Sequence, residues 1–238
     1  MPPNHLCCGY PLKTAGSLDI FARIEKENTE VLNTVLAEAR QKGILVSHIL
    51  TSCGTCRDGI QRYELAETNG QKITQLDITQ YLIGRLPKKQ FDGQLLYHAA
   101  CHAEWVGVPV LKSGQQYVDG LKSILETKPL LSPGCCGESG MGAITSPAIY
   151  NRIRDKKSTQ LASDLQATTQ ELPILVGCPS CRIGIRRVLL DLGQKKQVLH
   201  TCEFLAAHYG GQDWKKNLLK RLKEADTQNG IRTLTTQD

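Results

Sequence analysis

Eight of the ten cysteines in this 238-residue chain fall into two kinds of repeated motif. Cys7-Cys8 and Cys135-Cys136 are adjacent pairs followed by glycine, in HLCCGYP (5–11) and GCCGESGMG (134–142). Cys53 and Cys56, and Cys178 and Cys181, occupy C-x-x-C frames in CGTCRDGIQR (53–62) and CPSCRIGIRR (178–187). A lone Cys101 lies in LLYHAACHAEW (95–105). Thiolates are ligands for soft metals. A structural zinc takes four ligands, whereas the later set offers five, two of them adjacent. One small ion fits that pattern poorly. A cluster of several irons fits it well, with neighbouring cysteines capping different irons. Arg57, Arg62, Arg182, Arg186 and Arg187 could offset thiolate charge or simply be solvated. Structural zinc and thiol–disulfide exchange at C-x-x-C are the alternatives, though exchange leaves the paired cysteines unexplained.

Such a set works only if distant stretches converge. The chain repeats itself: C-C-G, then C-x-x-C-R-x-G-I-x-R, then ITQLDITQYL (73–82) matched by QVLHTCEFL (197–205). Cys8 precedes Cys53 by 45 positions and Cys136 precedes Cys178 by 42. Apolar runs at 43–50, 94–100, 128–134, 172–177 and 196–200 predict strands, most leading directly into a cysteine. Residues 21–41 carry Phe21, Ile24, Val31, Val35 and Ala39 at helical spacing, and 181–191 carry Ile185, Val188 and Leu189. Strand–helix alternation predicts an α/β protein with mainly parallel sheets flanked by helices. The cysteine motifs then sit at the carboxyl ends of strands, where open α/β sheets bind ligands. The helix beginning near Cys178 turns its positive end toward thiolate. Gly134, Gly137, Gly140 and Gly142 permit close backbone approach. The expected organisation is unit 1 over 1–90, unit 2 over 91–211, and an amphipathic helix with polar tail over 212–238. No cysteine stands ahead of Cys7 as Cys101 stands ahead of Cys135, so unit 1 reads as truncated at its N-terminus.

The bulk numbers narrow the class. Net charge is +6 and aromatics are 5% of residues, which offers no stacking platform and speaks against nucleic acid. No apolar run is long enough to span a bilayer, and MPPNHLCC does not read as a secretory signal. A chain able to build its own core does not need a disulfide framework. A reducing, cytoplasmic setting is expected, with the cysteines serving metal or redox chemistry.

The order C … CCG … CxxC resembles the cysteine-rich CCG domain. That domain is found in the B-type component of heterodisulfide reductase, in the iron–sulfur subunits of glycolate oxidase and anaerobic glycerol-3-phosphate dehydrogenase, and in lactate-utilisation proteins. YHAACH resembles the segment of the domain's first cysteine and VLHTCEFL its closing strand and helix; the likeness covers roughly residues 5–210. Within the family the chain most resembles C-terminal segments of large bacterial FAD-linked oxidoreductases. The resemblance implies that Cys101, Cys135, Cys136, Cys178 and Cys181 bind a [4Fe–4S]-type cluster. It implies a second site, less complete, at Cys7, Cys8, Cys53 and Cys56. The implied role is to pass electrons from a flavin domain that oxidises a 2-hydroxy acid, such as lactate or glycolate, to an acceptor protein or quinone. Heterodisulfide reductase-like cleavage of a disulfide at a noncubane cluster is the alternative. No G-x-G-x-x-G opens a helix here, so FAD belongs to a partner chain or a region outside this sequence. Such a partner could place the protein at the periphery of the inner membrane.

Other residues have plainer readings. Cys202 matches Thr79 in unit 1 and is expected to be structural. His98, His102 and His200 flank the motifs, either as structural histidines or as hydrogen-bond donors to a cluster. Glu138 is expected to cap the following helix, and Trp105 and Trp214 to pack. QDWKKNLLKRLKEA (212–225) predicts an amphipathic helix whose leucines dock on the domain or meet a partner or membrane surface.

Overall fold

Parallel strands need crossovers, and this chain supplies one between each pair. The computed structural model describes residues 6–68, 70–102, 105–138, 144–168 and 172–229. After α1 (Tyr10–Thr14) and α2 (Leu18–Gln41) come β1 (His48–Thr51), α3 (Gly54–Ile60), β2 (Thr74–Asp77) and α4 (Ile78–Ile83). There follow β3 (Leu96–His98), α5 (Val110–Leu125), β4 (Leu130–Ser132), α6 (Pro147–Gln166), β5 (Ile174–Val176), α7 (Pro179–Asp191), β6 (Val198–His200), α8 (Thr201–Gly210) and α9 (Trp214–Asn229). Strands β1 and β2 form a parallel pair, and the other four a parallel sheet in the order β4-β3-β5-β6. The architecture is therefore the expected α/β one.

The repeat is visible in the elements. The run β1-α3-β2-α4 has the same order as β5-α7-β6-α8. Helix α4 is capped by the Asp77 carboxylate, which accepts from the backbone of Thr79 and Gln80. Helix α8 is capped at the matching place by His200, which accepts from Cys202 N–H. Both fill donor groups that a helix start leaves unsatisfied.

Strands β3 and β5 are wholly buried, as central parallel strands should be. Leu121 and Leu125 of α5, Leu161 of α6, Ile185, Val188 and Leu189 of α7, and Leu205 of α8 complete this core. Each such side chain contributes about 1.5–3 kcal/mol by leaving water. Trp105 packs at the margin, edge-on to Tyr117.

Two details differ from expectation. The run at 43–50 becomes strand only from His48. A Schellman closure ends α2: Gly43, at φ 72°, donates to Arg40 and Ile44 donates to Ala39. That turn uses up the first part of the run, and Ile44 and Leu45 stay exposed. The buried stripe of α2 is Phe21, Asn28, Leu32 and Leu36 rather than the all-apolar set expected. Asn28 belongs to it because its amide donates to the Tyr63 hydroxyl at 2.8 Å and the Cys7 carbonyl at 2.7 Å. As to the two docking alternatives for α9, the described side chains leave Leu218, Leu219 and Leu222 exposed, while Trp214 is half-covered against Gly210. Gly140, Gly142 and the last nine residues lie outside the described residues. Among the described residues no helix is long and apolar enough to cross a membrane.

Candidate metal centre

Unit 2 brings its cysteines together through sheet order. Strands β4, β3 and β5 are neighbours and parallel, so their carboxyl ends share one edge. β3 runs out to Cys101, β4 to Cys135 and Cys136, and β5 to Cys178, the N-cap of α7; Cys181 sits in that helix's first turn. Sulfur contacts link Cys101 to Cys135, Cys135 to Cys136, Cys136 to Cys181, and Cys181 to Cys178. Cys136, Cys178 and Cys181 are buried; Cys101 is at the surface.

Unit 1 repeats part of this. Cys53 caps α3 as Cys178 caps α7. Cys56 contacts both Cys53 and Cys8. Cys7 departs from the pattern: it is exposed. It stands where Cys135 stands in unit 2, and Cys135 leans on Cys101.

The glycines of the motifs have a visible purpose. Gly9 and Gly137, third in each C-C-G, lie at φ 74° and φ 73°. That left-handed turn is costly for other residues. It also lays Gly137 against the Arg154 backbone at 3.1 Å from where a Cβ would be. The glycines of the C-x-x-C-R-x-G-I frame, Gly59 and Gly184, are packed under Cys8 and Cys136 respectively. Each spaced motif thus seats the adjacent pair of its own unit.

The two units meet at their cysteines. Cys53 Sγ lies 3.8 Å from Cys178 Sγ. Gly54 is pressed against the backbone of His102. His200 Nε2 donates to the Ser52 carbonyl at 2.9 Å. The eight sulfurs of Cys8, Cys56, Cys53, Cys178, Cys181, Cys136, Cys135 and Cys101 form one connected row.

Protons along the row are shared unequally. The Cys53 thiol is driven far below its ordinary range, first by hydrogen bonding from Cys178 and then from Cys56. Cys135 is likewise lowered by Cys101 and Cys136. Cys56, Cys101 and Cys181, the donors, are pushed up. Cys8 falls to about 6, chiefly through its bond with Cys56. Thiolates stabilised by neighbouring thiol protons are a donor set in which metal ions can replace those protons. Five such sulfurs in unit 2 exceed the need of one tetrahedral ion and fit a multi-iron group. A cavity of about 360 Å³ opens beside the row, walled by Tyr10, Thr55, Cys101, Tyr150 and Ile153 from both units.

Three of the five arginines are taken up by carboxylates. Arg62 pairs with Glu25, Arg182 with Glu203 at 2.8 Å, and Arg187 with Glu138 at 2.9 Å. Glu138 is thereby paired with α7, and residues 139–143, where its expected capping role would lie, are outside the described residues. Cys202 stays off the row and meets His200 Nδ1 at 3.0 Å. His102 contacts the Tyr10 hydroxyl at 3.3 Å. His98 is fully buried, and burial, reinforced by the charge of Lys157, pushes its imidazole down to about 3. Sequence reasoning missed Lys157, which is buried and donates to Ser132 Oγ at 2.7 Å and the Pro133 carbonyl at 2.9 Å. It fixes the loop from β4 to Cys135. A lysine in a polar helix gives no sign of this.

Among relatives, the chain is 28% identical over 211 residues to an uncharacterized iron–sulfur protein of Methanococcus maripaludis, covering 83% of this chain and 37% of the relative. It is 24% identical over 205 residues to an uncharacterized iron–sulfur protein of Methanocaldococcus jannaschii, with the same coverage, 83% and 37%. It is 25% identical over 225 residues to one of the subunits of a fumarate reductase (CoM/CoB) of Methanothermobacter marburgensis, covering 88% and 40%. The chain thus spans well under half the length of these curated relatives. No solved structure matches it. The model of the CCG cysteine-rich domain matches twice, over residues 1–61 and 95–186. These spans hold every cysteine of the row, and the chain belongs to the CCG cysteine-rich domain family, whose domain it carries in tandem.

Proposed function

We propose that this chain is the iron–sulfur electron-transfer module of an oxidoreductase. Cys101, Cys135, Cys136, Cys178 and Cys181 hold a [4Fe–4S]-type cluster, and Cys8, Cys53 and Cys56, with Cys7, serve a second. The observation that carries this is the row of eight sulfurs running unbroken across the seam between units. The names of two relatives as iron–sulfur proteins support it. Bound clusters supply one-electron steps. The residues here hold the sulfurs at the carboxyl ends of strands, exclude water from Cys136, Cys178 and Cys181, and keep the two sites in contact. We place the unit boundary near residue 90 and the end of unit 2 near 211.

Electrons reach the module from a flavin on a partner chain or on sequence outside this one, where a 2-hydroxy acid of lactate or glycolate type is oxidised. They leave to an acceptor protein or quinone. A second reading is favoured by the cavity beside the row and by the thiol cofactors in the name of the fumarate reductase relative. There a disulfide takes two electrons and two protons and leaves as two thiols.

The test is anaerobic purification, counting of iron and acid-labile sulfide, and EPR. Both elements are expected in near-equal amounts, and Cys135→Ser should erase one signal. Zinc without sulfide would overturn the reading in favour of a structural metal. Release of thiols from a disulfide by the reduced protein would select the second reading.

A further inference from the structure

His98 ends β3, in register with Ser132 of β4 and Val176 of β5. Its side chain has no exposure to solvent. A neutral imidazole has one N–H to give and one lone pair to fill. Among the described residues neither Nδ1 nor Nε2 of His98 makes a hydrogen bond of good geometry; the Ser132 backbone exerts only a minor pull on it. Buried polar groups are almost always satisfied, so an exception calls for a cause. The other flanking histidines are satisfied: His200 by Ser52 and Cys202, His102 by Tyr10.

What faces the orphaned ring is sulfur. A ring nitrogen of His98 and the sulfurs of Cys136 and Cys181 all lie within 4.8 Å of one another. All three groups are buried. The five cysteines of unit 2 already provide a full ligand set, which leaves the imidazole the part of a donor rather than a ligand. Resting on the function proposed above, we propose that His98 donates its N–H to the sulfur shell of the unit 2 centre at Cys136 and Cys181, and so sets that centre's reduction potential. A donor at sulfur stabilises the reduced, more negative state and raises the potential.

The experiment compares the full chain with His98→Leu and His98→Gln, all loaded anaerobically. EPR-monitored titration and iron and sulfide counts are the readouts. The expected result for His98→Leu is unchanged iron and sulfide, with the unit 2 signal harder to reduce. The shift should be about tenfold in the reduced-to-oxidised ratio, or about 59 mV for a one-electron couple. His98→Gln, which keeps an amide N–H, should lie between. Wild-type protein labelled with nitrogen-15 histidine should show a weak coupling in pulsed EPR, which decides the matter even if His98→Leu fails to fold. An unshifted potential in a fully loaded His98→Leu protein overturns the proposal, as does absence of the coupling. A strong coupling with iron lost in both variants overturns it in favour of direct ligation. Wild-type protein with neither iron nor sulfide would instead bring down the function on which it rests.

Discussion

Gly184 and Cys136 touch so closely that a methyl group cannot stand between them: a Cβ on Gly184 would lie 2.9 Å from the Cys136 carbonyl oxygen and 3.1 Å from its sulfur. Gly59 bears the same relation to Cys8, at 3.2 Å and 3.4 Å. The glycine in each C-x-x-C-R-x-G-I frame is therefore a seat for the paired cysteines. Overpacking of this kind costs about 1–3 kcal/mol. Gly184→Ala should lower the melting temperature and reduce the iron held by unit 2. Gly59→Ala, with slightly more room, should do the same more mildly to unit 1. Thermal melts with iron counts check both.

The contact between Cys53 and Cys178 makes the two sites unequal to mutation. Cys101→Ser, at the far end of the row, should remove or alter the unit 2 EPR signal alone. Cys178→Ser should alter both signals, because its partner across the seam belongs to unit 1. Identical spectra from the two variants would contradict this arrangement.

Lys157 holds the loop ahead of Cys135 through Ser132 and Pro133, and Ser132 in turn donates to Asp164. Lys157→Met should destabilise the protein by about 1–3 kcal/mol, the cost of leaving buried polar groups without partners. Burial lowers the Lys157 ammonium to about 8, with Asp164 opposing. Between that value and the ordinary lysine range near 10.4, the unfolded chain binds a proton that the folded chain does not. This lysine therefore makes stability rise with pH through that window, and below it contributes no pH dependence. Denaturant titrations from pH 7 to 10 should show the rise in wild type and its absence in Lys157→Met.

His200 caps α8 and also ties the end of β6 to Ser52, next to Cys53. Removal of the cap costs about 1 kcal/mol, and the lost bond to Ser52 adds roughly another 1 kcal/mol. His200→Ala should therefore melt earlier while keeping its iron, and the unit 1 EPR line shape should broaden. His200→Asn, able to cap but too short to reach Ser52, should recover the stability of the helix and not the line shape.

Much of this molecule was legible in its linear order. The spacing of Cys101, Cys135, Cys136, Cys178 and Cys181 behind apolar runs was enough to place them at strand ends, because sheet order then does the gathering. The repeat exposed unit 1 in the same way. Other features were hidden for physical reasons. Apolar periodicity cannot see Asn28, a polar residue buried for its bonds to Tyr63 and Cys7. Nor can it see Lys157; His98 stood out as a histidine flanking a cysteine motif, but that its ring lacks a partner among the described residues depends on which neighbours fail to reach it. The meeting of Cys53 with Cys178, 125 residues apart, reflects how one unit docks on the other, and no local pattern encodes that.

That docking carries a consequence for how charge would move. Ligand shells that touch leave little insulating protein between the centres they would enclose, so an electron held by one could pass quickly to the other. Such a pair could store two electrons, one on each centre, taken up singly. Hydride removal from an alcohol carbon and scission of a sulfur–sulfur bond both demand that stoichiometry, while most carriers that feed or drain such reactions deliver single electrons.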